Sequence, residues 1–263
     1  MTLDHVWGLK SLSKPYDQAC IDWAEQLLIN GNSSDNVLIL ASLGLDKHPS
    51  RNDVEHYFER ALQDLGETEP EYFDAIKRYA LELCHMALED SLSQDDAVNL
   101  LAEIYSCTHY DYGIFSIWTD LVDEIYLLEN EGEYYSHPEL TKANKSIYTE
   151  KQLRHFIVLL NSKLPHDFVH LSICEECNKL VKASWQRKTR VSAFRKILQV
   201  FKILEPQYCT ECLVCGSTHI VRLQTCRGTR KSIKNAAKIE AHFCASLNQS
   251  PLKNPSHLQL SHQ

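Results

Sequence analysis

The chain has 263 residues, of which 44% are hydrophobic and 24% are charged, and this balance excludes wholesale disorder. The longest uncharged apolar stretch, residues 36–45, is about half as long as a membrane-spanning helix needs to be. Residues 1–12 lack the basic cap and hydrophobic run of a secretion signal, so we expect neither membrane insertion nor secretion. Eight glycines and eight prolines are few for a protein with many turns, which favours helices.

The formal net charge of −8 is divided unevenly along the chain. Residues 1–150 carry 9 Lys/Arg and 29 Asp/Glu, a net charge of −20, whereas residues 151–263 carry 18 and 6, a net charge of +12. This division predicts an acidic domain over 1–150, a basic module over 151–247 and a mobile polar tail over 248–263. Two interpretations stay open, because the halves could neutralise each other or could each meet a different partner.

Helix start signals recur through the acidic half. Several Ser or Thr residues are followed three positions later by an acid or an amide, the spacing of a capping box. These pairs are Ser50 with Asp53, Thr68 with Glu71, Ser93 with Asp96, and Thr149 with Gln152. Each pair predicts the first turn of a helix, and an earlier helix is predicted between Pro15 and Gly31.

Apolar residues follow a helical period through the same half. Over residues 50–66 they fall on one stripe and leave acids for the opposite face, and similar stripes run through 72–88, 97–105 and 114–128. The segments between these stripes are short, and short connections favour antiparallel packing of consecutive helices. We therefore predict a mainly α protein, with six to eight helices in an acidic antiparallel bundle or stack ahead of a small α+β module.

No catalytic motif is visible in the sequence. It contains no phosphate-binding glycine loop, nucleophile elbow or His-Glu-x-x-His helix. Cys84 and His85 are adjacent, but neighbouring helical residues project about 100° apart, so we interpret Cys84 as a core thiol, like Cys20 and Cys107. The sequence therefore favours a protein that is not an enzyme.

The remaining cysteines are concentrated in the basic half. Cys174 and Cys177 form one Cys-x-x-Cys pair, and Cys212 and Cys215, followed by Gly216, form a second. With no secretion signal we expect reduced thiols in the cytoplasm, where such pairs indicate a metal site. Four thiolates at about 2.3 Å favour structural Zn²⁺. Short strands are predicted around the pairs, over 168–173, 180–185 and 219–223.

In these two cysteine pairs and the Gly216-Ser217 that follows, about a quarter of the chain resembles the zinc-ribbon family. The resemblance implies a structural metal site in a module that contacts nucleic acid or another protein. The sequence departs from the common pattern between the pairs, where residues 178–211 form an unusually long insertion with a predicted helix over 192–204.

Other ligand sets remain possible on sequence grounds. Cys209 extends the second pair into a Cys-x-x-Cys-x-x-Cys run, and Cys226, His219 or His170 could replace one of the four cysteines. A redox-active pair is less favoured, because thioredoxin-like sites lie within a βαβ unit.

Cationic residues surround the cysteine pairs and predict contact with phosphate groups or with a partner protein. Trp185 and Tyr208 could stack on bases, although packing beside a metal is the commoner role of such aromatics. The candidate contact residues are Arg187, Lys188, Arg190, Arg195, Lys202, Arg227, Arg230 and Lys231.

Two functional hypotheses follow. The first is a non-enzymatic cytosolic binding protein, whose zinc-stabilised basic module contacts nucleic acid or a nucleoprotein and whose acidic domain contacts protein. The alternative is an immunity-type or inhibitor protein, whose acidic surface blocks a basic partner such as a nuclease toxin. The sequence does not determine the oligomeric state.

Overall fold

The computed structural model describes residues 1–32, 34–130, 137, 139–162, 168, 171–182, 185–187, 208–210, 212 and 214–223. This part of the chain is mainly helical and groups into two compact units, Met1–Asn161 and one that begins at Ser162 and includes the strands. The predicted helix over 192–204 and the predicted tail over 248–263 lie outside the described residues.

Eight α-helices are described, all in the first unit, in agreement with the predicted six to eight. They are α1 (Leu3–Ser11), α2 (Asp17–Ile29), α3 (Asp35–Ser42), α4 (Arg51–Leu65), α5 (Tyr72–Leu88), α6 (Gln94–Cys107), α7 (Ser116–Asn130) and α8 (Lys145–Leu160). Short 3₁₀ helices occupy Leu43–Leu45, Gly113–Phe115 and Lys142–Asn144. The predicted charge boundary near residue 150 falls inside α8. In the described part of the chain, no helix is both long and apolar enough to span a membrane.

Helix α5 lies at the centre of the bundle and packs against α1, α6 and α8. Its buried face includes Tyr79 and Leu83, both almost inaccessible to solvent. Gly8 of α1 lies directly against the Tyr79 ring, where a Cβ would overlap ring carbons, so a glycine permits this close approach. On the other side, Phe156 of α8 packs edge-to-face against Trp118 of α7, with 5.1 Å between ring centroids.

Two of the four predicted capping boxes mark helix starts. Ser50 is the N-cap of α4, without a side-chain cap bond, and Ser93 is the N-cap of α6, where its Oγ accepts the Asp96 N–H at 3.1 Å. The other two predictions are wrong. Helix α5 begins at Tyr72 with Glu71 as its N-cap, and Thr149 with Gln152 lies buried inside α8.

The false start at Thr149 has a physical cause. Residues three apart also share one face inside a helix, so the same spacing arises wherever a helix buries a Thr and a Gln together. The reciprocal capping box lies earlier, between Thr141 and Asn144, where each side chain bonds the backbone of the other residue.

Five short strands lie in the second unit. They are β1 (Leu171–Cys174), β2 (Leu180–Lys182), β3 (Trp185–Arg187), β4 (Tyr208–Thr210) and β5 (Ile220–Arg222). β1 is the middle strand of an antiparallel sheet in the order β2-β1-β5. The predictions over 168–173, 180–185 and 219–223 overlap these three strands, but β1 extends to Cys174, and the prediction over 180–185 runs past β2 to Trp185, the first residue of β3. β3 and β4 form a separate antiparallel ribbon in which Arg187 pairs with Tyr208.

Candidate metal centre

Each cysteine pair lies in a tight backbone turn, and the two turns have the same hydrogen bonds. In the first, the Cys174 N–H donates to Lys179 O at 3.1 Å and the Asn178 N–H donates to Cys174 O at 2.9 Å. In the second, the Cys212 N–H donates to Ser217 O at 2.8 Å and the Gly216 N–H donates to Cys212 O at 2.7 Å. The chain therefore builds two equivalent turns from separate segments.

Both turns depend on a residue in the left-handed region directly after the second cysteine. Gly216 has φ 69° and Asn178 has φ 52°. Glycine enters this region without steric cost, and asparagine enters it more readily than most other residues. The glycine after the second cysteine pair is visible in the sequence, whereas the equivalent role of Asn178 after the first pair was not predicted. The signal was available, because an asparagine follows the first pair at the position that glycine occupies after the second.

Strand pairing brings the two turns together. Cys174 at the end of β1 pairs with Ile220 at the start of β5, and the Glu175 N–H donates to His219 O at 2.9 Å. Because β5 begins shortly after the second turn, this pairing places Cys212 and Cys215 beside the first turn. The insertion leaves along β2 and β3 and returns along β4, which pairs with β3. A long insertion is therefore compatible with convergence of the two pairs.

The four thiol sulfurs lie within 4.8 Å of one another. Cys174 Sγ is 3.5 Å from Cys215 Sγ, and Cys177 Sγ is 3.6 Å from Cys212 Sγ. These distances exclude disulfides, whose sulfurs are about 2.05 Å apart. A tetrahedral ion with metal–sulfur bonds of about 2.3 Å has ligand sulfurs separated by about 3.8 Å. The cluster therefore has the composition and approximate size of a four-thiolate metal site.

The sulfurs also form part of the core of this unit. Cys174 and Cys212 are buried with Val181, and Cys177, Cys215 and Ile220 pack against them half-buried. Phe168, Leu171, Ile173 and Leu223 are also buried in this unit, so the thiol cluster is one part of a small core that is otherwise apolar.

The thiols differ in how readily they ionise. Burial raises the pKa of Cys212, but hydrogen bonds from the backbone N–H groups of Cys215 and Val214, together with those from the Cys177 and Cys215 thiols, lower the pKa to about 7. For Cys215, the Ser217 N–H lowers the pKa, whereas burial and hydrogen bonds with the neighbouring sulfurs raise it to about 12. The Cys212 thiolate therefore forms readily. Additional thiolates in the cluster would repel one another unless a bound cation neutralised their charge.

The alternative ligands have different locations. His219 is 68% exposed at its side chain, and its Nδ1 lies 2.9 Å from Glu176 Oε1 at the rim of the cluster. The backbone of Cys209 lies in β4, opposite Gln186. His170 and Cys226 lie outside the described residues.

The lone cysteines of the helical unit have a different environment. Cys20 and Cys84 are fully buried, as predicted for core thiols, whereas Cys107 is half-buried. Burial raises the pKa of Cys20 to about 12 and also raises the pKa of Cys84, so both thiols stay protonated. Such thiols pack as small apolar side chains and are unsuited to nucleophilic attack.

The candidate nucleic-acid contacts are only partly located. Arg187 belongs to β3, where the backbone places it opposite Tyr208 and two residues after Trp185. The other candidates lie outside the described residues, namely Lys188, Arg190, Arg195, Lys202, Arg227, Arg230 and Lys231.

Comparisons with known proteins identify no relative of this chain. The chain matches no protein-family model, no curated protein and no solved structure.

Proposed function

We propose that the chain is a non-enzymatic binding protein, in which a structural Zn²⁺ organises a basic module that contacts nucleic acid or a nucleoprotein. The acidic helical unit then contacts protein. The convergence of Cys174, Cys177, Cys212 and Cys215 within 4.8 Å carries this proposal. Soft thiolates favour zinc, and four protein ligands leave no position for a reactive water. The cytosol is the compartment proposed, because metal binding requires reduced thiols.

The nucleic-acid part of the proposal is supported by charge and by register. Residues 151–263 carry 18 Lys/Arg against 6 Asp/Glu. The insertion between the cysteine pairs includes Arg187 beside Tyr208 in the β3–β4 ribbon. Arginine binds phosphate with high geometric specificity, and aromatic rings stack on bases, so this combination suits a nucleic-acid surface.

The zinc part is tested on the full chain by metal analysis and thermal unfolding. We expect one zinc per chain, and we expect a chelator to abolish the unfolding transition of the second unit and leave the helical transition in place. Clearly less than one zinc in a folded sample, or an unchanged transition in chelator, would contradict the structural site.

The nucleic-acid part is tested by fluorescence anisotropy with short single-stranded and duplex probes. We expect binding that weakens about tenfold or more from low to physiological salt, as released counterions require. A combined Arg187→Ala, Lys188→Ala and Arg190→Ala variant should bind less tightly. The matched control, Lys47→Ala with Arg60→Ala in the helical unit, should bind like wild type. No binding at low salt would contradict this part and leave the zinc site intact.

An inhibitor function remains the second candidate, supported by the net charge of −20 over residues 1–150. Such a field accelerates association with a basic protein. Co-purification with a basic nuclease, and inhibition of its activity by the chain, would favour this function over nucleic-acid binding.

A further inference from the structure

Helix α3 and the 3₁₀ helix that follows it carry an uncovered apolar face. Helix α3 buries Val37, Leu40 and Ala41. Outside this buried stripe, Leu38 is 56% and Ile39 36% exposed, and Leu45 in the 3₁₀ helix is 90% exposed. We call these three residues, Leu38, Ile39 and Leu45, the α3 face.

This face differs from the outer surface of the neighbouring helix α4. Helix α4 buries Val54, Phe58 and Ala61 and presents Asp53, Glu59 and other polar residues to solvent, the usual pattern of a surface helix. Between Asp35 and Asp46 no charged residue occurs. Three large apolar side chains exposed between Leu38 and Leu45 favour a binding surface over an ordinary solvated helix.

Carboxylates lie at both ends of the α3 face. Asp35 begins α3, and Asp64 of α4 accepts hydrogen bonds from the Ser34 hydroxyl and, at 2.9 Å, from the Asn36 amide. These two hydrogen bonds, of which the one from Ser34 has the larger effect, lower the pKa of Asp64 and keep its carboxylate ionised.

At the other end, Asp46 directly follows Leu45. Glu25 of α2 reaches the same region, because a Cβ placed on Gly44 would lie 3.2 Å from Glu25 Oε1. Glu25, Asp35 and Asp46 are all exposed. The apolar strip therefore has acidic groups at each end, and at the second end one exposed cation, Lys47, follows Asp46, so carboxylates still outnumber cations there.

We propose that the α3 face binds a cationic amphipathic helix of a partner protein. The partner would place leucine-like side chains against Leu38, Ile39 and Leu45, and Lys or Arg beside the flanking carboxylates. This inference rests on the proposed protein contact of the acidic unit, and it names the surface and the chemistry of the partner.

The carboxylates beside the α3 face favour a cationic helix over a second copy of the chain or a nucleic acid. In a symmetric pair of chains, the same face meets itself, so the carboxylates of one copy would come close to those of the other. Nucleic acid would bring phosphates toward the same carboxylates. A partner with a cationic rim gains from both the apolar strip and the acids.

The test uses the full chain and a synthetic helical peptide with a leucine stripe and lysines at its other positions. A peptide with glutamates in place of the lysines serves as the matched probe. We expect the lysine peptide to bind in an anisotropy titration, more weakly as salt is raised, and the glutamate peptide not to bind. Replacing Leu38→Ser and Leu45→Ser together should weaken binding about tenfold or more, because the variant loses the apolar contact with the leucine stripe of the peptide.

The matched control variant is Ile147→Ser, whose side chain is 71% exposed on α8. It should bind the lysine peptide like wild type, and all variants should retain the wild-type circular dichroism, because the altered side chains are exposed. If the lysine peptide bound the Leu38→Ser/Leu45→Ser variant as tightly as wild type, the α3 face would not be the binding site. The proposed protein contact of the acidic unit would be unaffected by that result.

Two other outcomes would overturn the partner itself. One is equal binding of the lysine and glutamate peptides, which would remove the charge argument. The other is a wild-type dimer in sedimentation that the Leu38→Ser/Leu45→Ser variant loses, which would assign the face to a second copy. The zinc measurement is independent of these results, so a failed inference remains distinguishable from a failed metal site.

Discussion

The two units of this protein bury their interiors with different chemistry. The helical unit has a core of large aromatic and aliphatic side chains, including Leu83, Trp118 and Phe156, supplied by several helices. The second unit buries fewer large side chains, among them Phe168, Leu171 and Ile173, and its interior also holds the sulfurs of Cys174 and Cys212 in a small cluster with Val181. Apolar burial grows with the size of a unit, so a large helical unit can be stable by itself, whereas a small sheet benefits from a cross-linking ion.

Cysteine shows the same contrast on the scale of one residue. Cys84 is surrounded by apolar helix surface, and burial raises the pKa of its thiol. Cys212 is also buried, but hydrogen bonds from backbone N–H groups in its turn and from neighbouring thiols together lower its pKa to about 7. The hydrogen bonds around a buried cysteine therefore distinguish a packing residue such as Cys84 from a potential ligand such as Cys212.

The largest expected effect comes from removing one sulfur of the cluster. The binding free energy of a structural zinc site is on the order of 10 kcal/mol, and Cys212→Ser should lose most of it. We expect zinc content to fall from one per chain to near zero and the second unit to lose its cooperative unfolding, as followed by metal analysis and calorimetry. Cys107→Ser, in the helical unit, should keep the zinc. A Cys212→Ser variant that still binds one zinc per chain would contradict the proposed difference between the two units.

The second effect should be confined to the helical unit. Leu83→Ala removes a fully buried side chain from central helix α5, so we expect a loss of about 2–5 kcal/mol in its free energy of unfolding. Urea unfolding followed by far-ultraviolet circular dichroism measures this loss. The exposed Leu45→Ala is the control, and zinc content should stay at one per chain. Loss of zinc in Leu83→Ala would show that the units are not energetically separate.

A smaller effect tests the turn that holds the first cysteine pair. Asn178 has a positive φ, which costs about 1–2 kcal/mol for a residue that does not tolerate it. Asn178→Val should therefore weaken zinc binding about tenfold in a chelator competition, whereas Asn178→Gly should bind like wild type. Equal affinities for the valine and glycine variants would contradict the role of backbone conformation.

The smallest effect concerns the ion pair between Arg51 and Glu55, which lie one turn apart on helix α4. The Tyr16 hydroxyl donates to Glu55 at 2.8 Å, and Arg51 also bonds this carboxylate, so both lower the pKa of Glu55. Because the folded pKa is the lower one, the stabilisation is present above the pKa of the unfolded chain and is lost as pH falls through the folded value.

Glu55→Gln should accordingly lower the urea midpoint slightly at neutral pH, since exposed pairs contribute little. The difference from wild type should shrink as the pH falls below the ordinary range of a glutamate. The control is Glu59→Gln on the outer face of the same helix. A difference that grows toward acid would give the opposite sign and contradict this account.

Local patterns predicted many of the elements. The apolar stripe and caps over 50–66 predicted α4, which ends before the left-handed Gly66, and the stripe over 72–88 matches α5. Prediction failed where the same residue spacing occurs both at a helix start and inside a helix. Thr149 and Gln152 have the spacing of a capping box but lie buried inside α8. The pairing of β3 with β4 joins segments separated by more than twenty residues, and no short-range signal specified it.

For the candidate site, the sequence by itself determined the ligand chemistry, because a Cys-x-x-Cys spacing with a left-handed residue after it is a local property of the backbone. It also determined the separation of charge between the two halves. Only the tertiary structure decided that Cys174 and Cys177 meet Cys212 and Cys215, and that His219 lies beside Glu176 at the rim. Convergence depends on the pairing of β1 with β5, a contact between distant segments that only the folded chain establishes.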